Sequence, residues 1–430
     1  MTWFSSPARA AAAAALVAAC GSNPAPAGAP AVDDGMMARA RAIHARAITM
    51  DTHVDINPAN FTPQRSYATR LPTQVDLVKM EEGGLDAAFL IVYVGQQQDF
   101  TAAGFARAQD QAIQKFDAIH RLVNELAPDR AELALTAADV RRIHATGKRA
   151  ILIGVENGYP IGEDLANIKR FYDLGARYLS LAHNGHNHLS DSNSGEASGQ
   201  WRHQGLSALG RQAIAEMNRL GIMVDISHPS REANRQTMAL SRAPVIASHS
   251  SARALANHSR NLDDDELRAL ARNGGVVQTV AFNTYVRVPP PESPERIAAI
   301  AGLRREFNLA PQGTATMQSL SEERRAEYQA SMAEINRKFP PPARATVSDF
   351  VDHIDHIVRL IGIDHVGISS DFDGGGGVVG WNNAAESLNV TVELVRRGYT
   401  EDQIHKLWGG NLLRVMERVE QVAREIQAGR

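Results

Sequence analysis

His53 and Asp55 stand two apart in Asp51-Thr52-His53-Val54-Asp55, so on an extended segment their side chains point the same way. An imidazole and a carboxylate on one face are ligands for a divalent cation. Glu156 ends the run Gly154-Val155-Glu156, and a carboxylate directly after a buried stretch is costly unless paired or metal-bound. His183 follows Leu181-Ala182, His228 follows Asp225-Ile226-Ser227, and His249 follows Ala247-Ser248. Asp371 and Asp373 come after Ser369-Ser370, and Gly374 to Gly377 follow, a run that either lets backbone approach a substrate closely or makes a flexible turn. Each of these residues alone is commonplace as a core, loop or capping group; together they form a ligand set. Imidazoles and carboxylates with no thiolate suit zinc, with manganese or cobalt as alternatives, and leave coordination positions for water.

Such a set needs elements that bring it to one place. From Arg39 onward, short apolar runs rich in β-branched residues alternate with stretches of i, i+3, i+4 apolar spacing, the pattern of βα repetition around a parallel sheet. Eight strands are predicted: 47–51, 87–94, 150–155, 178–182, 222–226, 244–248, 275–281 and 365–369. Eight βα units close into a (β/α)8 TIM barrel, whose active sites occupy the C-terminal strand ends. That is where Glu156, His183, His228, His249 and Asp371 fall. After the seventh strand lies an insertion, residues 286–346, with Pro289-Pro290-Pro291 and Pro340-Pro341-Pro342 around a charged helical stretch, Ser321 to Lys338. Its length suits a lid, an oligomer contact or a solvated decoration. His186 and His188 read as loop residues, and His353 and His356 as the solvated face of a helix.

With 45 Lys and Arg against 48 Asp and Glu, the net charge of −3 offers no basic excess to neutralise a phosphate backbone, so nucleic acid is not an expected partner. Cys20 is the sole cysteine, which excludes an intramolecular disulfide framework. It ends the apolar run Ala10 to Ala19, which is too short to span a bilayer, and a Pro/Ala/Gly-rich stretch follows. Val17-Ala18-Ala19-Cys20 resembles a bacterial lipoprotein box. The expected organisation is a signal peptide over 1–20, a flexible tether over 21–38, and a metallohydrolase barrel over 39–430. The chain would then be exported to the periplasm or cell surface and touch the membrane only through a lipid on Cys20.

The strings DTHVD, GVENG, LAHN, DISHPS, PVIASHSSAR, SRN and ISSDFDG, in this order, resemble the renal (membrane) dipeptidase family of metallopeptidases, a branch of the amidohydrolase-type barrels. The segment Trp408 to Val415 is similar to the family's closing segment, and the insertion and leader lie outside the likeness. The resemblance implies two zinc ions: His53 and Asp55 on the first, Glu156 bridging, His228 and His249 on the second. It also implies that His183 touches the substrate and the developing oxyanion, that Arg260 holds the substrate carboxylate, and that Asp371 handles the proton. It selects Asp371 over Asp373. Read from the residues alone, Arg260 has another role open to it, a salt bridge to Asp263-Asp264-Asp265. Ala281-Phe282-Asn283 departs from a family segment that often carries a tyrosine.

These implications give a binuclear zinc dipeptidase that cleaves dipeptides with a metal-bridging hydroxide, expected as a homodimer. Two other functions use the same residues. One is a metal-dependent amidohydrolase acting on N-acylated amino acids, lactams or lactones, because metals are indifferent to what the pockets bind. The other is a surface lipoprotein that keeps the barrel as a non-catalytic binding module.

Overall fold

The computed structural model describes residues 32–309 and 321–430. Eight parallel strands run in sequence around a barrel: β1 (Met50–Asp55), β2 (Ala87–Tyr93), β3 (Arg149–Glu156), β4 (Ala176–Ser180), β5 (Met223–Asp225), β6 (Ile246–Ala247), β7 (Val276–Val280) and β8 (Val366–Ser369). The ring closes through a parallel bridge between Val54 and Phe372, where the Asp55 N–H donates to the Phe372 carbonyl at 2.9 Å. The expected barrel is therefore present. β1 takes in the whole Asp51 to Asp55 run, so His53 and Asp55 lie within the strand rather than after it. Its pairing with β2 shifts register between Asp51 and Val54, a local irregularity that re-aims the side chains beside it.

The period of two decides what reaches the barrel interior. Ala87, Phe89 and Ile91 of β2, Ala150 and Leu152 of β3, Tyr178 of β4 and Met223 of β5 share one core with Leu412, Leu413 and Met416 of the C-terminal helix Asn411–Gln427. The intervening residues, Leu90, Val92, Ile151, Ile153 and Val155 among them, pack outward into the larger core against the surrounding helices. Continuing the inward series toward the C-terminal rim gives Tyr93 on β2 and Glu156 on β3. Gly154 occupies the intervening inward position because a Cβ there would fall 2.2 Å from the Tyr178 ring.

Three features differ from the sequence expectation. A strand at Ala131–Leu133, too short to show alternation, pairs with the first half of β3. Residues 34–38, grouped with the tether on composition, open the helix Asp34–His44, which Asp33 caps and which docks through His44 Nδ1 and Thr391 Oγ1 at 2.7 Å. The insertion holds two helices, Pro294–Glu306 and Glu322–Lys338, which bury Leu303, Phe307 and Tyr328 between them. The expected leader and Cys20 lie outside the described residues. Among the described residues no helix is long and apolar enough to cross a membrane.

Candidate metal centre

Five strands build the site: β1 carries His53, β3 ends on Glu156, and the loops after β4, β5 and β6 bring His183, His228 and His249 around one Glu156 carboxylate oxygen. From Glu156 Oε1 the Nε2 atoms of His228, His249, His53 and His183 lie 2.9, 3.4, 3.6 and 3.9 Å away. Asp55 Oδ2 is 3.7 Å from His53 Nε2, and Asp371 joins that pair in a further cluster of donor atoms within 4.8 Å of one another. Glu156 belongs to two such clusters, one with His53 and His249 and one with His183 and His228. The sequence-derived ligand residues are thus together at one end of the barrel.

The hydrogen bonds behind the rings fix their tautomers. Tyr178 donates its hydroxyl hydrogen to the Thr52 carbonyl at 3.0 Å, so at 2.9 Å it receives one from His53 Nδ1. Ser248 donates to Asp225 Oδ2 at 2.7 Å and likewise accepts from His249 Nδ1 at 2.8 Å. Asn184 Oδ1 accepts from His228 Nδ1 at 3.2 Å. All three imidazoles therefore carry hydrogen on Nδ1 and turn a bare Nε2 lone pair toward Glu156, the arrangement of oriented metal ligands. Two of those lone pairs, on His228 and His249, are 2.9 Å apart, and the buried His53 Nε2 has no hydrogen-bond partner. Converging lone pairs and carboxylates in a dry site call for cations.

The electrostatics agree. Burial pushes His228 and His249 well below the ordinary imidazole value, helped by neighbouring positive charge including Arg260, which keeps them neutral. Burial also works to raise Glu156, but His53, His183 and His228 hold its carboxyl well below the ordinary range. At His53 burial is outweighed by Glu156 and Asp55, whose negative charge raises it well above the ordinary value, so that without a metal these carboxylates favour a proton on Nε2, the place a metal cation would take instead.

Asp371 and Asp373 part company here. Asp371 sits at φ 57°, buried beside His53 and Asp55, and burial above all pushes its carboxyl up to about 8. Asp373 instead accepts from the Gln74 and Val75 amides and the Tyr67 hydroxyl, a loop-holding role. The first residue of the glycine run has a specific function. A Cβ on Gly374 would fall 2.3 Å from both Asp371 Oδ1 and Asp55 Oδ2, so these carboxylates require the missing side chain.

Arg260 is 2% exposed and makes no salt bridge to Asp263, which pairs with Arg231. Its guanidinium donates to the Ser227 and His249 carbonyls and faces the Tyr285 ring at 5.4 Å. Among the described residues no carboxylate pairs with it, and its buried Nε has no hydrogen-bond partner. A cavity of about 660 Å³ opens over the cluster; Asp55, Glu156, His183, His228, His249 and Asp371 are on its wall, as are Tyr93, Lys115 and Tyr285. Arg260 lies behind that wall rather than on it. Tyr285, two residues past Asn283, is on the cavity wall and stacks on Phe282 at 4.1 Å.

Tyr93, Tyr178 and Tyr285 were not singled out in sequence. Inward parity with Glu156 marks Tyr93, but no motif marks the other two. His186 and His188 lie in a loop as expected, bonded to the Ser192 amide and the Gly162 carbonyl. His353 is a correction: it is 1% exposed, accepting from the Ala252 amide and donating to the Val286 carbonyl. It shares a helix face with Phe350 and Ile357, which spacing alone could have shown. His356 is half-buried and meets Asp264 at 2.9 Å.

Residues 37–430 match the membrane dipeptidase family, peptidase family M19. The dipeptidase aclJ of Aspergillus oryzae is 33% identical over 373 residues, 86% of this chain and 74% of that protein. The probable dipeptidase PvdM of Pseudomonas aeruginosa superposes with a TM-score of 0.75 at 35% identity, covering 91% of this chain and 100% of that one. A metallopeptidase from Rhodobacter sphaeroides, solved with a phosphinate mimic of the dipeptide L-Ala-D-Ala, gives 0.62 at 25% identity, covering 87% and 99%.

Proposed function

The chain belongs to the membrane dipeptidase family, a family of peptide-bond hydrolases, and on that premise we propose that it is a binuclear zinc dipeptidase acting through an activated water. The observation that carries this reading is the convergence of three Nε2 lone pairs, on His53, His228 and His249, around Glu156. His53 and Asp55 would hold one ion, His228 and His249 the other, and Glu156 both. When bound, two divalent ions supply Lewis acidity toward the scissile carbonyl and a water activated near neutral pH.

The remaining steps fall to the chain itself. Asp371, buried against His53 and Asp55, takes the proton of the attacking water and returns it to the leaving amine. His183, on the cavity wall beside Glu156, meets the carbonyl oxygen as negative charge develops there. The uncompensated charge of Arg260 behind Tyr285 draws the substrate's C-terminal carboxylate to that wall. A cavity of about 660 Å³ suits a small ligand, in keeping with the dipeptide mimic bound by the Rhodobacter sphaeroides relative.

The leader supports export and lipidation at Cys20, which the mass of the mature N-terminus tests, and the family supports a homodimer, which sizing in solution tests. The function itself is tested with free, N-acetylated and C-amidated versions of the same dipeptides, before and after chelation. Chelator-sensitive cleavage of the free dipeptides, lost on C-amidation, is the expected result. Cleavage that survives both chelation and amidation contradicts the proposal.

A further inference from the structure

Among the described residues, two cations line the cavity without an ion-pair partner. Lys115, half-buried on the helix Ala102–Arg121 that follows β2, points its ammonium over the Tyr93 ring at 5.5 Å. Among the described residues it makes no hydrogen bond and no ion pair. Arg65, exposed in the hairpin after β1, lines the same wall and also has no ion-pair partner there. The acidic side chains of the cavity are engaged elsewhere. Asp55, Glu156 and Asp371 belong to the metal cluster, and Asp373 is held by the Gln74 and Val75 amides.

The position of these cations says which part of a substrate they meet. Arg260 and Tyr285 follow β6 and β7, whereas Tyr93 ends β2 and Lys115 follows it. In a ring of eight strands, β2 and β6 are diametrically opposite. A dipeptide with its C-terminal carboxylate toward Arg260 and its peptide bond over Glu156 directs its first residue toward β1 and β2. Resting on the dipeptidase reading above, we infer that this enzyme selects dipeptides whose first residue carries a carboxylate side chain, with Lys115 as the specificity-determining residue and Arg65 a second cation on the same cavity. The warrant is charge complementarity at a half-buried ammonium that no acidic side chain among the described residues pairs with.

The test compares kcat/KM for Glu-Ala, Gln-Ala, Lys-Ala and Ala-Glu in the metal-loaded enzyme and in Lys115→Met and Lys115→Glu. Wild type is expected to favour Glu-Ala over Gln-Ala by about tenfold or more, the scale of one charged hydrogen bond. In Lys115→Met that ratio falls toward one, and in Lys115→Glu the preference turns to Lys-Ala. Equal rates on Glu-Ala and Gln-Ala in wild type overturn the inference while leaving the dipeptidase reading intact. So does a preference for Ala-Glu, or a Lys115→Met loss that falls equally on Glu-Ala and Gln-Ala. Failure to cleave any of the four overturns both readings. Should the variants fail to fold, the wild-type ratio alone decides.

Discussion

The Tyr178 hydroxyl lies 2.9 Å from His53 Nδ1 and spends its own hydrogen on the Thr52 carbonyl, so it can only accept from the imidazole. That one bond leaves His53 Nε2 with a lone pair aimed at Glu156 and Asp55. Tyr178 is itself seated by Gly154, which gives up a side chain to make room for its ring. Ligand geometry thus depends on a residue of β4, three strands along the barrel from the ligand on β1.

Tyr178→Phe keeps the ring and removes the acceptor. Metal affinity should fall about 10–100-fold with the fold retained, as for other groups that orient a metal-binding histidine. Competition with a chelator of known affinity, alongside circular dichroism, reads both.

Gly374→Ala puts a methyl group where it meets Asp55 and Asp371 at once. Displacing those carboxylates by even about 1 Å should cost on the order of 100-fold in kcat/KM. Steady-state kinetics and metal content checked together should show both reduced, whereas a flexible turn would tolerate the change.

Much of this site was legible in the sequence because β-strands end in fixed directions. Glu156, His183, His228 and His249 sit directly after buried runs, and His53 with Asp55 shows the two-residue spacing. What escaped was the layer behind. Tyr178 is an ordinary strand residue until its hydroxyl is seen against His53, and Ser248 with Asp225 is informative only once His249 Nδ1 is known to point at them. Arg260 had two readings because sequence shows that acids are near but not that Asp263 is taken by Arg231. Three residues apart, His353 and His356 read in sequence as one solvated helix face, while the spacing of His353 from Phe350 and Ile357 places it on the buried one.

Asp371→Asn retains the shape and loses the proton carrier. The rate should drop by about 10²–10⁴-fold, the usual contribution of general acid–base catalysis, with metal content unchanged. Single-turnover kinetics on metal-loaded protein isolate the chemical step.

His353→Leu leaves the Ala252 N–H and the Val286 carbonyl without their buried partner. The expected cost is about 1–3 kcal/mol for each group, visible as a lower midpoint in denaturant unfolding. Burial lowers the His353 pKa in the folded state, so the fold accepts the neutral ring. Its contribution is full above the unfolded value of about 6.5 and is lost as pH falls below it, and the variant should lack this part of the acid sensitivity.

The central claim is that one buried carboxylate, Glu156, holds the metal centre together, and elemental analysis of wild type and Glu156→Gln beside their dipeptidase rates tests it most directly. The account requires about two divalent ions per chain in wild type, and loss of both metal and activity in Glu156→Gln. A variant that keeps its ions and cleaves dipeptides at the wild-type rate would contradict it.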